Sequence, residues 1–228
     1  GKTRLMAEAS RAAHEAGVTV LYGRCDEDLG FPYQPFAEAI GSYVEFGPAS
    51  VIDAHVERRG GELGRLVPEL ERRAPPPPST GGEAERYLLF GAVVDLLARA
   101  GSDAPVLLIL DDLHWADTPS LRLLRHLLAS SDETRLVVFA AYREGDLGRD
   151  HPLIDLLAAL HREHGVDRLM LEGLDDVDLI ALLETRGGRR LDDQGVELAH
   201  ALGRETSGNP FFVAEVIRHL AETGSITQ

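Results

Sequence analysis

The run Val106-Leu107-Leu108-Ile109-Leu110-Asp111-Asp112 constrains the fold more than any other stretch of this chain. Consecutive apolar residues leave no polar face, so a strand here must be covered on both sides, as inside a parallel sheet. The strand then ends on two carboxylates. A carboxylate at the end of a buried strand is costly unless a cation meets it. Ligands of open parallel sheets bind at the carboxyl ends of the strands. Asp111 therefore reads as a metal-holding carboxylate and Asp112 as one that polarises a water. The alternative for Asp112 is a residue at a solvated strand end that merely caps the next turn.

The surrounding pattern is α/β. Lys2 to Ala16 is expected as a helix with Leu5, Ala9, Ala12 and Ala13 near one face, stopped by Gly17. Val18–Tyr22 reads as a strand, and 32–46 as a helix with Phe36, Ile40, Tyr43 and Val44 at helical spacing. The stretch 51–70 reads as helical pieces broken at Gly60-Gly61. Four prolines, Pro75 to Pro78, with Ser79-Thr80-Gly81-Gly82 make a surface loop. Glu83–Ala100 is a helix. Thr118-Pro119 opens another, Thr118 as N-cap, with Leu121, Leu124 and Leu128 as its stripe. Leu136–Ala141 is a strand, His151–Glu163 a helix, and Arg168–Leu171 a last strand. Beyond Gly173 only helices are expected: Asp175–Thr185, Asp192–Leu202 and Phe211–Glu222. Strands alternating with helices imply right-handed crossovers and a parallel sheet.

A second motif stands at the N-terminus. Gly1-Lys2-Thr3 opens the first helix, and an acidic strand comes about a hundred residues later. Together they form the pattern of a P-loop nucleoside triphosphatase. The Lys meets the β- and γ-phosphates, the Thr hydroxyl meets Mg²⁺, and the strand-end Asp holds the metal. On this reading Gly1, Lys2, Thr3 and Arg4 bind the nucleotide, and Thr3 and Asp111 hold the metal. The Gly-rich half of such a loop, and the strand before it, are expected upstream of Gly1.

Three further sites carry chemistry or packing. Arg143 stands just past a strand tip and can sense a γ-phosphate; the alternative is a salt bridge to Glu144 or Asp146. In His114-Trp115-Ala116-Asp117, Trp115 is expected as a packing anchor and Asp117 as a helix-start acceptor. His114 either approaches a phosphate or fills the turn. Gly208-Asn209-Pro210-Phe211-Phe212 reads as a turn and then a buried aromatic pair. His161 and His164 have no third metal ligand, and no nucleophile elbow is present.

Bulk properties exclude several classes. At 228 residues the chain can hold one α/β domain plus part of another. A net charge of −15 repels nucleic-acid phosphate, so this segment is not expected to touch DNA or RNA. No apolar run approaches the ~20 residues of a membrane span. No signal peptide is visible. A single cysteine, Cys25, forms no internal disulfide, which fits a reducing cytoplasm and excludes a cysteine-based zinc site.

Taken together, these motifs resemble the STAND class of P-loop ATPases, and most of all the ATPase modules of large LuxR-type transcriptional regulators and of related cyclase- or kinase-linked proteins. Leu108 through Asp117 is similar to the family's extended Walker B segment. Gly23-Arg24-Cys25 through Pro32-Tyr33-Gln34-Pro35-Phe36 is similar to the segment after its second strand. Tyr142-Arg143 with His151-Pro152-Leu153 is similar to its sensor region, and Gly208-Asn209-Pro210 to its GxP motif, where the Pro lies against the nucleotide. The resemblance implies a three-layer sandwich whose parallel sheet has the order 5-1-4-3-2. Residues 1–172 would form this core without its first strand, and 173–228 the start of a helical lid. That first strand would lie between the strands at 168–171 and 136–141, so a sheet without it would expose two edges that invite aggregation. The resemblance also implies Mg²⁺ with ATP or ADP, catalytic roles for Asp112 and Arg143, nucleotide contact by Pro210, and self-association in the ATP state. Asp112 is one methylene shorter than the Glu often found there, which suits slow hydrolysis. DNA would be reached only through a domain outside the chain.

Overall fold

Three strands lie side by side and parallel in the order β1 (Thr19–Arg24), β2 (Val106–Asp111), β3 (Leu136–Ala140). The register sets Arg24 opposite Asp111, and Leu110 opposite Ala140. The computed structural model describes residues 1–28, 31–79, 81–130, 134–161, 163 and 165–222. Thr80, Arg162, His164 and 223–228, which fall within or beside expected elements, lie outside them. Two compact units are present, Met6–Val166 and, separately, Gly1–Leu5 with Asp167–Gln228.

The helices come in chain order as α1 (Lys2–Glu15), α2 (Gln34–Phe46), α3 (Ala49–Arg59), α4 (Gly82–Asp103), α5 (Thr118–Ala129), α6 (Pro152–Leu160), α7 (Asp176–Gly187), α8 (Asp193–Thr206) and α9 (Pro210–Glu222). Two 3₁₀ turns, Glu62–Arg65 and Pro68–Arg72, come after the break at Gly60-Gly61.

In the larger unit every residue of β2 is buried. Its side chains divide by the two-residue period of a strand. Val106, Leu108 and Leu110 join Leu21, Phe36, Ile40, Leu96, Leu97, Leu124 and Leu127 in a core built with α2, α4 and α5. Leu107 and Ile109 face the other way and meet Met6 of α1 and Ala141. Helices therefore cover both faces of the sheet, as the apolar run required. Burying an apolar side chain of this size contributes about 1.5–3 kcal/mol, so the face-alternating β2 is the main organiser of the unit.

Several expectations change in detail. On α1 the buried residue is Met6, flanked by half-buried Ala9 and Ala13, while Leu5 and Ala12 are exposed. The apolar stripe runs i, i+3, i+7 from Met6 rather than from Leu5. On α5 the N-cap is Asp117, whose Oδ1 accepts from the Ser120 amide at 2.8 Å, so Thr118 is already inside the helix. The fully covered leucines of α5 are Leu121, Leu123, Leu124 and Leu127, with Leu128 only half-buried.

The smaller unit holds three helices around Leu179, Leu202 and Val213. Asp175 and Asp192 cap α7 and α8 by accepting the amides of Asp178 and Gly195. Gly208 adopts a φ of +67°, and its carbonyl accepts from the Leu174 amide at 2.8 Å. A Cβ there would lie 2.2 Å from the Leu174 carbonyl oxygen, so the close approach needs glycine. The expected strand at 168–171 is not formed: the segment makes no ladder, and Leu169 and Met170 are 73% and 68% exposed. A strand needs a neighbour to take its backbone groups, and among the described residues none is beside it. The aromatic pair is also not buried. Phe211 and Phe212 pack edge to face on each other and stay exposed.

Candidate functional site at the carboxyl edge of the sheet

Parallel pairing brings three strand ends to one edge, and hydrogen bonds lock the loops just beyond them. The Cys25 amide donates to the Asp111 carbonyl at 3.0 Å, the Ala141 amide to Leu110 at 2.9 Å, and the Leu113 amide to Ala141 at 2.8 Å. Gly23 allows α2 to close over this edge. A Cβ on it would fall 1.8 Å from the Pro35 carbonyl oxygen.

Asp111 lies at the centre, 4% exposed. Its Oδ1 accepts from the Asp112 amide at 2.9 Å and its Oδ2 from the Tyr22 hydroxyl at 3.3 Å. It has no ion-pair partner among the described residues. Burial, and then the Asp111 charge, push the Tyr22 phenol up, so Tyr22 stays a donor. A buried carboxylate with spare lone pairs and no cation is suited to receiving one. Among the described residues no group of three or more His, Cys, Asp or Glu forms a metal cage. Mg²⁺ needs none, since it is held by one or two carboxylates together with phosphate and water. The donor set at Asp111 fits that ion.

Asp112 turns the chain. Its φ of +55° and ψ of +40° are left-handed, a conformation that costs a non-glycine residue on the order of 1 kcal/mol and that Asp tolerates better than most. The turn sends its side chain to Arg24, Nε to Oδ2 at 3.0 Å. The carboxylate raises the Arg24 guanidinium still further above its ordinary value. The Arg24 amide donates to Glu38 of α2 at 2.9 Å.

His114 is buried behind this turn, its ring tilted on Trp115 with centroids 5.0 Å apart. It faces carboxylates, with Nε2 3.4 Å from Asp146 and 3.9 Å from Asp112. Its carbonyl accepts from Nε2 of His151 at 3.0 Å, while Nδ1 of His151 accepts the Leu153 amide, which fixes that tautomer. Trp115, expected as the anchor, is 41% exposed. Asp117 is the expected helix-start acceptor and also takes the Tyr33 amide at 3.3 Å. Cys25 is buried, and its thiol is pushed up to about 12 by burial and then by Asp117 and other nearby carboxylates, so it is no nucleophile.

Arg143 stands exposed just beyond β3, its Nε 4.0 Å from Asp146. Gly1, Lys2, Thr3 and Arg4 lie exposed at the start of α1, and Pro210 is half-buried at the start of α9; all five belong to the smaller unit. The structure thus gathers Asp111, Asp112 and Arg143 on one edge of the larger unit. Asp146 is the ion-pair partner that the sequence offered as the alternative for Arg143. The structure adds Tyr22 on Asp111, Arg24 on Asp112 and His151 on the His114 carbonyl, contacts that motif reading did not assign. Arg24 carried a usable signal, because it closes a strand at its carboxyl end.

The sequence model of a family described as AAA ATPase domain matches residues 1–139, more than half of the chain. Neither a curated protein nor a solved structure matches. With a parallel α/β core, a buried acidic strand end and this match together, the chain belongs to the AAA ATPase domain family.

Proposed function

We propose that the chain is an ATP-binding, slowly hydrolysing switch within a larger cytoplasmic signalling protein, a STAND-class module like those of LuxR-type transcriptional regulators. One observation carries the reading: Asp111 is a buried strand-end carboxylate with no ion-pair partner among the described residues, in a chain that belongs to an ATPase family. Asp111 and Thr3 would hold Mg²⁺, Lys2 would meet the β- and γ-phosphates, and Gly1 and Arg4 would flank them; the Lys2 and Thr3 roles rest on the motif. Pro210 would lie against the nucleotide, which rests on the resemblance. The order β1-β2-β3 is compatible with strands two to four of a 5-1-4-3-2 sheet. Residues 1–172 would be the ATPase core and 173–228 the beginning of its lid.

Mg²⁺-ATP brings the electrophilic γ-phosphorus and the charge neutralisation that phosphoryl transfer needs. Asp112 would accept a hydrogen bond from the attacking water, and Arg143 would meet the γ-phosphate oxygens. The Arg24 contact occupies one oxygen of Asp112, which suits slow turnover. The ATP state would self-associate, and DNA would be contacted only through a domain outside this chain. A DNA-loading ATPase is the competing class; the net charge of −15 disfavours it.

The test is a calorimetric titration of the chain, joined to the strand and Gly-rich loop expected before Gly1, with ATP and ADP, with and without Mg²⁺. ATP affinity should rise with Mg²⁺ in the wild type and lose that dependence in Asp111→Asn. A wild type that binds no nucleotide would leave a degenerate scaffold as the better description.

A further inference from the structure

His114 sits between two carboxylates, and each carboxylate also has an arginine. Asp112 has Arg24 at 3.0 Å, and Asp146 has Arg143 at 4.0 Å. The imidazole is held firmly between them. Its ring lies on Trp115, its carbonyl is bonded by His151, and the preceding Leu113 amide is tied to Ala141 just past β3. The two Nε2 distances, 3.4 Å to Asp146 Oδ2 and 3.9 Å to Asp112 Oδ1, are both longer than a normal N–H···O bond. A single N–H on Nε2 can be donated fully to one carboxylate at a time. A shift of under an ångström selects which.

We propose that His114 is a positioning residue that bridges Asp112 and Asp146 and so couples Arg143 to the carboxylate that would polarise water. The inference rests on the nucleotide-switch reading above. When Arg143 turns to a γ-phosphate, Asp146 loses its cation and draws the His114 N–H. Oδ1 of Asp112 is then free to accept a water, while Oδ2 remains with Arg24. With ADP, Arg143 stays with Asp146, and His114 remains shared. The coupling uses a two-position element that both ends bias, which is what a switch requires.

The experiment is a double-mutant cycle on the whole chain, read as the ratio of ATP to ADP affinity. His114→Phe keeps the ring packing and removes the donor. It and Arg143→Ala should each shrink the ratio about 3- to 10-fold, and the double variant should fall no further than the lower single. His114→Gln, which keeps a donor at similar reach, should retain most of the ratio. Asp146→Asn, at a partly exposed position, repeats the cycle if His114→Phe does not fold. Without nucleotide, the His114 ring ¹⁵N shifts should move on Asp112→Asn and on Asp146→Asn alike. Full additivity in a wild type that does distinguish the nucleotides, or a ring that ignores either carboxylate, overturns the bridge alone. A wild type that binds neither nucleotide overturns the switch reading, and the bridge with it.

Discussion

Arg24 and Asp112 are 88 residues apart in sequence, yet Nε of one and Oδ2 of the other meet at 3.0 Å across the carboxyl edge of the sheet. The parallel register of β1 and β2 makes the meeting possible by setting Arg24 opposite Asp111. The left-handed turn at Asp112 completes it.

Removing this contact should raise turnover. The Arg24 side chain is 59% exposed, so its pair with Asp112 contributes at most about 1 kcal/mol. Arg24→Ala should therefore increase steady-state ATP hydrolysis by no more than roughly 5-fold, with ATP affinity little changed. Asp112→Asn should spare binding and slow turnover. If Arg24→Ala slows hydrolysis as much as Asp112→Asn does, Arg24 orients the carboxylate rather than restraining it.

A buried ion cluster between α3 and α4 gives the second prediction. His55 is fully buried and its Nδ1 lies 2.9 Å from Asp95, which also faces Arg99 at 2.8 Å, Arg58 at 3.4 Å and Arg59 at 3.7 Å. Removing Asp95 leaves the buried His55 without its partner, while Arg58, Arg59 and Arg99 are partly exposed and can turn to water. Asp95→Ala should cost about 1–3 kcal/mol in urea unfolding, and replacing His55 and Asp95 together by leucine should cost less than the sum of the single changes. Burial holds the His55 imidazole below its ordinary value of 6.5 in spite of Asp95. The unfolded chain therefore binds the proton first. Stability is fully present above pH 6.5 and is lost as pH falls through the lowered value. Thermal melts between about pH 7 and 5 should show this slope, and His55→Leu should flatten it.

Much of the larger unit was legible because one physical cause dominates there. The two-residue alternation of β2, the spacing of Phe36, Ile40, Tyr43 and Val44, and the breaks at Gly60-Gly61 and Pro75 to Pro78 all mark burial or its interruption. The failures have another cause. Arg168–Leu171 has strand composition, but a strand exists only with a neighbour, and composition says nothing about neighbours. Phe211 and Phe212 have core composition but lie on the outer side of α9, whose buried residue is Val213. At the site, the motifs marked Asp111 and Asp112, and closeness in sequence marked Asp146 as a partner for Arg143, while the pairing of Arg24 with Asp112 depended on a register and a turn between distant segments.

The alkaline limb should be set by acids whose protons the fold holds, buried Cys25 and Tyr43 first among them. Cys25 is raised from 9.0 to about 12, and Tyr22, Tyr33 and Tyr43 are raised above 10.0, burial being the first cause in each. Above pH 9 the unfolded chain releases protons that the folded chain keeps, so stability falls as pH rises. For Cys25 the window runs from pH 9 to about 12. Denaturant midpoints over about pH 8–11 should decline, and Cys25→Ala should lessen the decline. A flat wild-type profile would show that the thiol is not excluded from water.

Gly23 offers a steric prediction with its own control. A Cβ there would meet the Pro35 carbonyl oxygen at 1.8 Å and its carbon at 2.6 Å, and both are backbone atoms that no side-chain rotation can move aside. Gly23→Ala must push the start of α2 away from β1, and overpacking of this kind costs about 1–3 kcal/mol. The shift also pulls Glu38 from the Arg24 amide and disturbs the Arg24–Asp112 contact. The variant should therefore lose stability and show altered nucleotide turnover together. Gly148→Ala, where a Cβ would meet nothing within 4 Å, should stay within about 0.5 kcal/mol of the wild type. Urea denaturation of the two variants beside the wild type measures both. Equal stability of Gly23→Ala and Gly148→Ala would mean that α2 does not close on β1 as closely as the structure has it.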